Sequence, residues 1–155
     1  MRTARFFLTV AALVCASGAI AQDTSRRTNY GELSLDSGFS DDPRVISLQA
    51  GGDISAQRAG ADCRGFITDA PDFRVFYNAG QLPLIISVDS DADTTLVVNA
   101  PDGTFHCDDD SGVNGANPSI RFDKPASGRY EIWVGTYSSG GTQPARLHIS
   151  EVSSQ

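Results

Sequence analysis

The side chains best placed to do chemistry are aspartates. Asp89, Asp91 and Asp93 alternate ahead of an apolar run, and Asp108, Asp109 and Asp110 follow Cys107 a short way downstream. Between the two groups lies Ala100-Pro101-Asp102-Gly103, in which Pro presets a turn and Gly takes its left-handed position. A hairpin about that turn sets Ala100 opposite Thr104, Val97 opposite Cys107 and Thr94 opposite Asp110. Asp91 and Asp93 then approach Asp108, Asp109 and Asp110. Like charges so close together need water or a cation between them. Calcium, with its demand for roughly six to eight oxygens, is the cofactor this pattern suggests. The candidate ligands are Asp91, Asp93, Asp108, Asp110 and Asn114, with Asn117 in the same Gly-containing loop. The spacing is not that of an EF-hand, because Thr94 stands at the glycine position and no glutamate closes the loop. The competing reading is a solvated loop whose aspartates accept turn amides.

Catalytic patterns are weaker. The chain has two histidines, His106 and His148, with no H-E-x-x-H and no G-x-S-x-G around any serine. A serine nucleophile needs a histidine base that a third group orients, and neither histidine has such neighbours in sequence. Both read as ordinary strand residues, with His148 turned outward because Leu147 and Ile149 alternate inward. Trp133 and Tyr137 fall on the face opposite Ile132 and Val134, just before Ser138-Ser139-Gly140-Gly141. Outward aromatics there are candidate binding residues, for a sugar ring or a protein partner. The alternative is that they pack under a loop.

These residues need a scaffold, and composition says which kind. Residues 1–21 read as an export signal: Arg2 and Arg5, an apolar run from Phe6 to Ala16 that includes Cys15, then Ala19-Ile20-Ala21. Cleavage before Gln22 is expected, with a secreted or periplasmic product. What remains of the 155 residues holds ten basic and 19 acidic side chains, a formal charge of −9, since Arg2 and Arg5 leave with the signal. That balance disfavours nucleic acid as a partner. No later stretch is apolar enough for membrane insertion. Asp and Gly abound while Lys124 is the one lysine, which suits turns and strands rather than helices.

Residues 22–29 carry no apolar side chain and are expected to form a flexible leader. From 30 to 155, short apolar segments alternate with Gly, Pro, Asp and Asn clusters, the pattern of a single all-β domain. Strands are expected at 30–35, 44–49, 63–67, 72–77, 82–89, 94–99, 104–107, 119–122, 129–137 and 145–151. Leu82, Leu84, Ile86 and Val88 share one face, as do Tyr130, Ile132 and Val134, Ile120 and Phe122, and Leu147 and Ile149. The fold class is thus an antiparallel β-sandwich, jelly-roll-like, of about eight to ten strands. Cys63 and Cys107, alone beyond the signal, are expected to form one disulfide in an oxidising compartment.

Read in order, Ser90-Asp91-Ala92-Asp93-Thr94-Thr95-Leu96-Val97-Val98, Pro101-Asp102-Gly103, Asp109-Asp110-Ser111-Gly112, Asn117-Pro118-Ser119-Ile120 and the run Pro125 to Gly135 resemble the bacterial pre-peptidase C-terminal domain. The resemblance spans roughly 82–151. It implies a secreted sandwich associated with extracellular proteases, non-catalytic in itself, with calcium at Asp91, Asp93 and Asp110 and an extracellular polymer such as collagen as ligand. The chain departs from that pattern in standing alone and in its cysteine pair. The expected function is a secreted, non-catalytic binding or accessory module. The alternatives are a peptidase-like hydrolase and an inhibitor or partner of a secreted protease.

Overall fold

A computed structural model describes residues 22–155; the expected export signal and Cys15 lie outside the described residues. Eleven strands occur in it: β1 (Glu32–Asp36), β2 (Arg44–Ala50), β3 (Ile54–Ser55), β4 (Phe66–Ile67), β5 (Phe73–Asn78), β6 (Leu84–Asp89), β7 (Thr94–Asn99), β8 (Phe105–Asp108), β9 (Ser119–Phe122), β10 (Gly128–Thr136) and β11 (Gln143–Ser150). One short 3₁₀ turn, Ala56–Arg58, follows β3. Among the described residues no helix is long and apolar enough to cross a membrane.

The strands make a β-sandwich. Its larger sheet runs β1-β5-β10, continues through β7 to β8, and carries β4 and β3 beyond one end of β10; its smaller sheet runs β2-β11-β6-β9. Every pairing is antiparallel except β1 with β5. The chain between those two strands visits the other sheet as β2 and returns, and a crossover of that length lets it re-enter parallel. Alternation fills the space between the sheets. Val75, Tyr77, Leu84, Ile86, Val88, Leu96, Val98, Tyr130, Ile132, Val134, Leu147 and Ile149 point inward and form one core. Leu82, expected on the same face as Leu84, lies outside β6 and is exposed.

The Pro101-Asp102-Gly103 turn closes β7 on β8, with Gly103 at φ 84° and its N–H donating to the Ala100 carbonyl at 2.9 Å. Val97 faces Cys107 across the ladder, the register expected from the turn.

A second, smaller core sits on the outer face of the larger sheet. Residues 51–65, expected to begin a strand at Cys63, instead form a flap whose Ala56 and Cys63 pack with Ile67, Val97 and Trp133. The disulfide between Cys63 and Cys107 pins the flap to β8. The flap backbone touches the sheet where side chains are missing. A Cβ on Gly52 would lie 2.2 Å from the Ile67 carbonyl, and one on Gly135 2.5 Å from the Phe66 oxygen.

Residues 22–29 contact the body of the domain through polar groups. Though mostly exposed, they bond to the loop between β4 and β5 and to Arg74 of β5. Asn29 N–H donates to the Pro71 carbonyl at 2.9 Å, and the Arg74 guanidinium donates to the Arg26 carbonyl at 3.0 Å. Gln22 Nε2 donates to the Thr68 carbonyl at 3.1 Å, and Arg26 pairs with Asp69.

Candidate functional site

The turn joining β6 to β7, Ser90 to Asp93, and the loop after β8 meet at one end of the sandwich. Buried Asn117 is the tie. Its Nδ2 donates to the Ser90 carbonyl at 2.8 Å, and its Oδ1 accepts from Thr94 Oγ1 at 2.6 Å. Thr94 N–H donates to the Ala116 carbonyl at 3.1 Å, closing the loop onto the turn. Asp93, Asp109 and Asp110 lie near enough to interact, and the acids of this end divide into two kinds.

Asp108 and Asp89 are spent on structure. The Asp108 carboxylate accepts from Ser111 N–H at 2.9 Å, Ser111 Oγ at 2.6 Å and Ser119 N–H at 2.8 Å. Asp89 pairs with Arg146 and accepts from Asn114 Nδ2 at 3.3 Å. Asp108 and Asn117 accept from protein donors and Asn114 donates to Asp89, so all three shape the loop. Asp91, Asp93 and Asp110 are exposed, and Asp109 is half-buried. Burial, then the charges of Asp110 and Asp109, push the Asp93 carboxyl above its usual range. Asp109 is raised by burial and by Asp110 and Asp108, with Arg64 offsetting part of the effect. Among the described residues no three His, Cys, Asp or Glu side chains come together as a group able to hold a metal ion.

Two hollows flank the Ser90–Asp93 turn. One, about 490 Å³, is lined by Tyr30, Gln49, Asp91, Pro144 and Arg146 among others. The second, about 240 Å³, is lined by Asp93, Thr136, Ser138, Gly140 and Gln143 among others. Tyr137 stands beside it, 46% exposed, its N–H donating to the Asp93 carbonyl at 3.0 Å. Tyr30 was not singled out from the sequence. It is 38% exposed, and its hydroxyl accepts from Gln49 N–H at 3.0 Å. Its one signal is a tyrosine directly after an apolar-free stretch.

Trp133 does not join this surface. It faces away from the main core as its parity requires, yet it is 0% exposed. The flap covers it, and Phe105 packs at a ring separation of 6.1 Å. Alternation places a side chain on a face and is silent on what lies over that face. An exposed outward aromatic of this sheet is Phe76 on β5, at 41%.

Neither histidine is poised for catalysis. His106 packs edge-on against Phe122 at 4.9 Å. His148 lies directly across from Ser87, but both its ring nitrogens are buried without a hydrogen-bond partner. It is 7% exposed, in a covered patch with Ser87 on a face that is otherwise largely exposed at Val45, Arg121 and Arg146. The chain's last residues cross that face, Gln155 N–H donating to Ser87 Oγ at 3.1 Å. Burial holds the His148 imidazole below its usual pKa, hence neutral.

No protein-family model matches the chain, and no curated protein matches it. Among solved structures it is similar to a periplasmic lysozyme inhibitor of g-type lysozyme from Aeromonas hydrophila. The identity is 16%, over 77% of this chain and 96% of that one, with a TM-score of 0.38. A likeness of that degree carries no functional argument, and the reading of this chain rests on its own side chains.

Proposed function

We propose that the chain is an exported, non-catalytic binding module whose acidic end engages a positively charged protein partner. One observation carries this reading. Asp91 and Asp93 crest a turn between two hollows, with Asp109 and Asp110 close enough to raise the Asp93 pKa. A partner's lysines or arginines relieve that repulsion, and exposed Tyr30 and Tyr137 supply amphipathic contact area beside it. The resemblance to domains associated with extracellular proteases belongs to the same proposal, as does a secreted protease or its polymer substrate as the partner. Catalysis finds no support in two histidines that bond to no serine.

The test is capture from the native secretome. The wild-type chain is expected to retain a basic protein that a chain with Asp91→Asn, Asp93→Asn and Asp110→Asn does not. Retention should fall steeply with salt, because the contacts are screened. Retention indifferent to both would overturn the reading, as would turnover of casein or a generic ester by the purified protein.

Calcium is tested on the same variants. With Asp108 and Asp89 already bonded, millimolar calcium is expected to move the melting point no further than sodium chloride of matched ionic strength. An ion held at a hundredfold excess over Kd would add about 2.7 kcal/mol. A rise of that order, lost in Asp93→Asn and Asp110→Asn and kept in Asp41→Asn, would put calcium there instead.

A further inference from the structure

The free edge of the larger sheet offers a second surface, away from the acidic end. Strand β1 pairs with β5 on one side, and on its other side no strand among the described residues pairs with it. An unpaired edge presents a row of N–H and C=O groups ready to accept another strand. Side chains of Glu32, Ser34 and Asp36 alternate on the outer face of this edge, in register with Arg74, Phe76 and Asn78 on β5. Ser34 is small, so it leaves Phe76 accessible. Around the ring is an open hollow of about 520 Å³ lined by Ser34, Asp36, Phe76, Asn78 and Arg129 among others.

Charge selects what this edge can pair with. A second copy of the chain, laid antiparallel and centred on Ser34, would set Glu32 opposite Asp36 twice. Like charges directly opposite across a ladder destabilise it. A strand with basic residues at those two positions gains where the copy loses. Asp36 uses one oxygen on Asn78 Nδ2 at 3.0 Å. Glu32 reaches Arg74 at 3.2 Å with its side chain 55% exposed. Both therefore keep acceptor capacity toward a neighbour. The central position must be apolar, since it lies over Ser34 toward Phe76, with the Arg129 guanidinium beyond and 47% exposed.

We propose that β1 accepts an extended protein segment of pattern basic-x-apolar-x-basic, added antiparallel as a further strand, with its central side chain on Phe76. This goes beyond the acidic-end reading and does not depend on it.

The probe is a capped peptide, Lys-Val-Leu-Val-Lys, titrated into the chain while the backbone amide signals of Glu32 to Asp36 are followed by NMR. Saturable shifts there are expected. Binding should weaken about tenfold or more with Glu in place of both Lys, which turns two charge pairs repulsive, and by a smaller factor with Asp36→Lys in the protein, which turns one. Phe76→Ser should weaken it as well. N-methylation supplies the backbone arm, because alternate residues of a strand bond to opposite sides. Methylating one alternate set should abolish binding, and methylating the other should leave it. Equal binding of the two methylated peptides, or indifference to charge reversal, would overturn the proposal. Loss of peptide binding in the Asp91→Asn, Asp93→Asn, Asp110→Asn chain would move the peptide to the acidic end, overturning this proposal and leaving the other standing. Absence of any shift overturns it too, and leaves Glu32 and Asp36 as charges that merely keep the edge from self-pairing.

Discussion

Replacing Cys63 by Ser is expected to lower the unfolding free energy by roughly 2–5 kcal/mol and to shift Trp133 emission to the red. The bridge joins residues 44 apart in sequence. In the chain-entropy account, closing a loop of that length is worth about 4 kcal/mol. The second effect is local. Trp133 is the chain's one tryptophan, and its apolar surroundings are the flap residues Ala56 and Cys63 with Ile67, Val97 and Phe105. Without the bridge to β8, the flap keeps its short β3–β4 pairing, the contact of β4 with Thr136, the Gly51 N–H bond to the Val134 carbonyl at 2.9 Å and its apolar packing. Water then reaches the part of the indole that Ala56 and Cys63 cover. Chemical denaturation followed by tryptophan fluorescence reads both quantities, and Cys107→Ser should match Cys63→Ser. An unchanged emission maximum in the folded variant would show that the flap holds its place without the bridge.

Asp72 carries the other large expectation. It is fully buried, and its Oδ2 accepts from Val134 N–H at 2.8 Å while its Oδ1 accepts from Asn29 Nδ2 at 2.9 Å. The carboxyl therefore joins the leader, β5 and the middle of β10. Asp72→Ala orphans the Val134 amide in the interior and is expected to cost on the order of 3 kcal/mol. Burial raises the Asp72 pKa to about 6, against the pull of these donors toward lower values. The folded state thus binds its proton more readily than the unfolded chain does. This group favours folding most below the unfolded carboxyl's pKa, and that contribution is lost as pH climbs toward and through about 6. A shift of that size amounts to about 3 kcal/mol.

His148 acts in the opposite sense, because its pKa is lowered and its contribution disappears on acidification. The useful quantity is therefore the difference between two chains. The stability of Asp72→Asn minus that of the wild type should grow more favourable from pH 4 to pH 7, by up to about 3 kcal/mol. Melting curves across that range give it directly. A difference that stays flat would mean that Asp72 titrates normally in the folded protein.

Local rules were enough for much of this molecule. Pro101-Asp102-Gly103 forces the chain back on itself, and that turn alone sets Val97 against Cys107 and brings Asp93 toward Asp110. Period-two alternation is a property of the strand itself, so Ile132, Val134, Leu147 and Ile149 were assignable to the core before any partner was known. Two cysteines beyond the expected signal left one pairing. What lies over a second face is a different kind of fact, fixed by segments distant in sequence. The flap turned Trp133 from a surface aromatic into a core residue, while Phe76, with nothing over it, became an exposed ring. The leader has no apolar side chain to betray docking, since it docks through carbonyls and amides that every residue carries. Nor does an aspartate announce whether its oxygens will meet water, a cation or a backbone N–H. Asp108 found Ser111 and Ser119, Asp72 found Val134 from 62 residues away, and Asp91 found solvent, because only the assembled chain decides which donors come within reach.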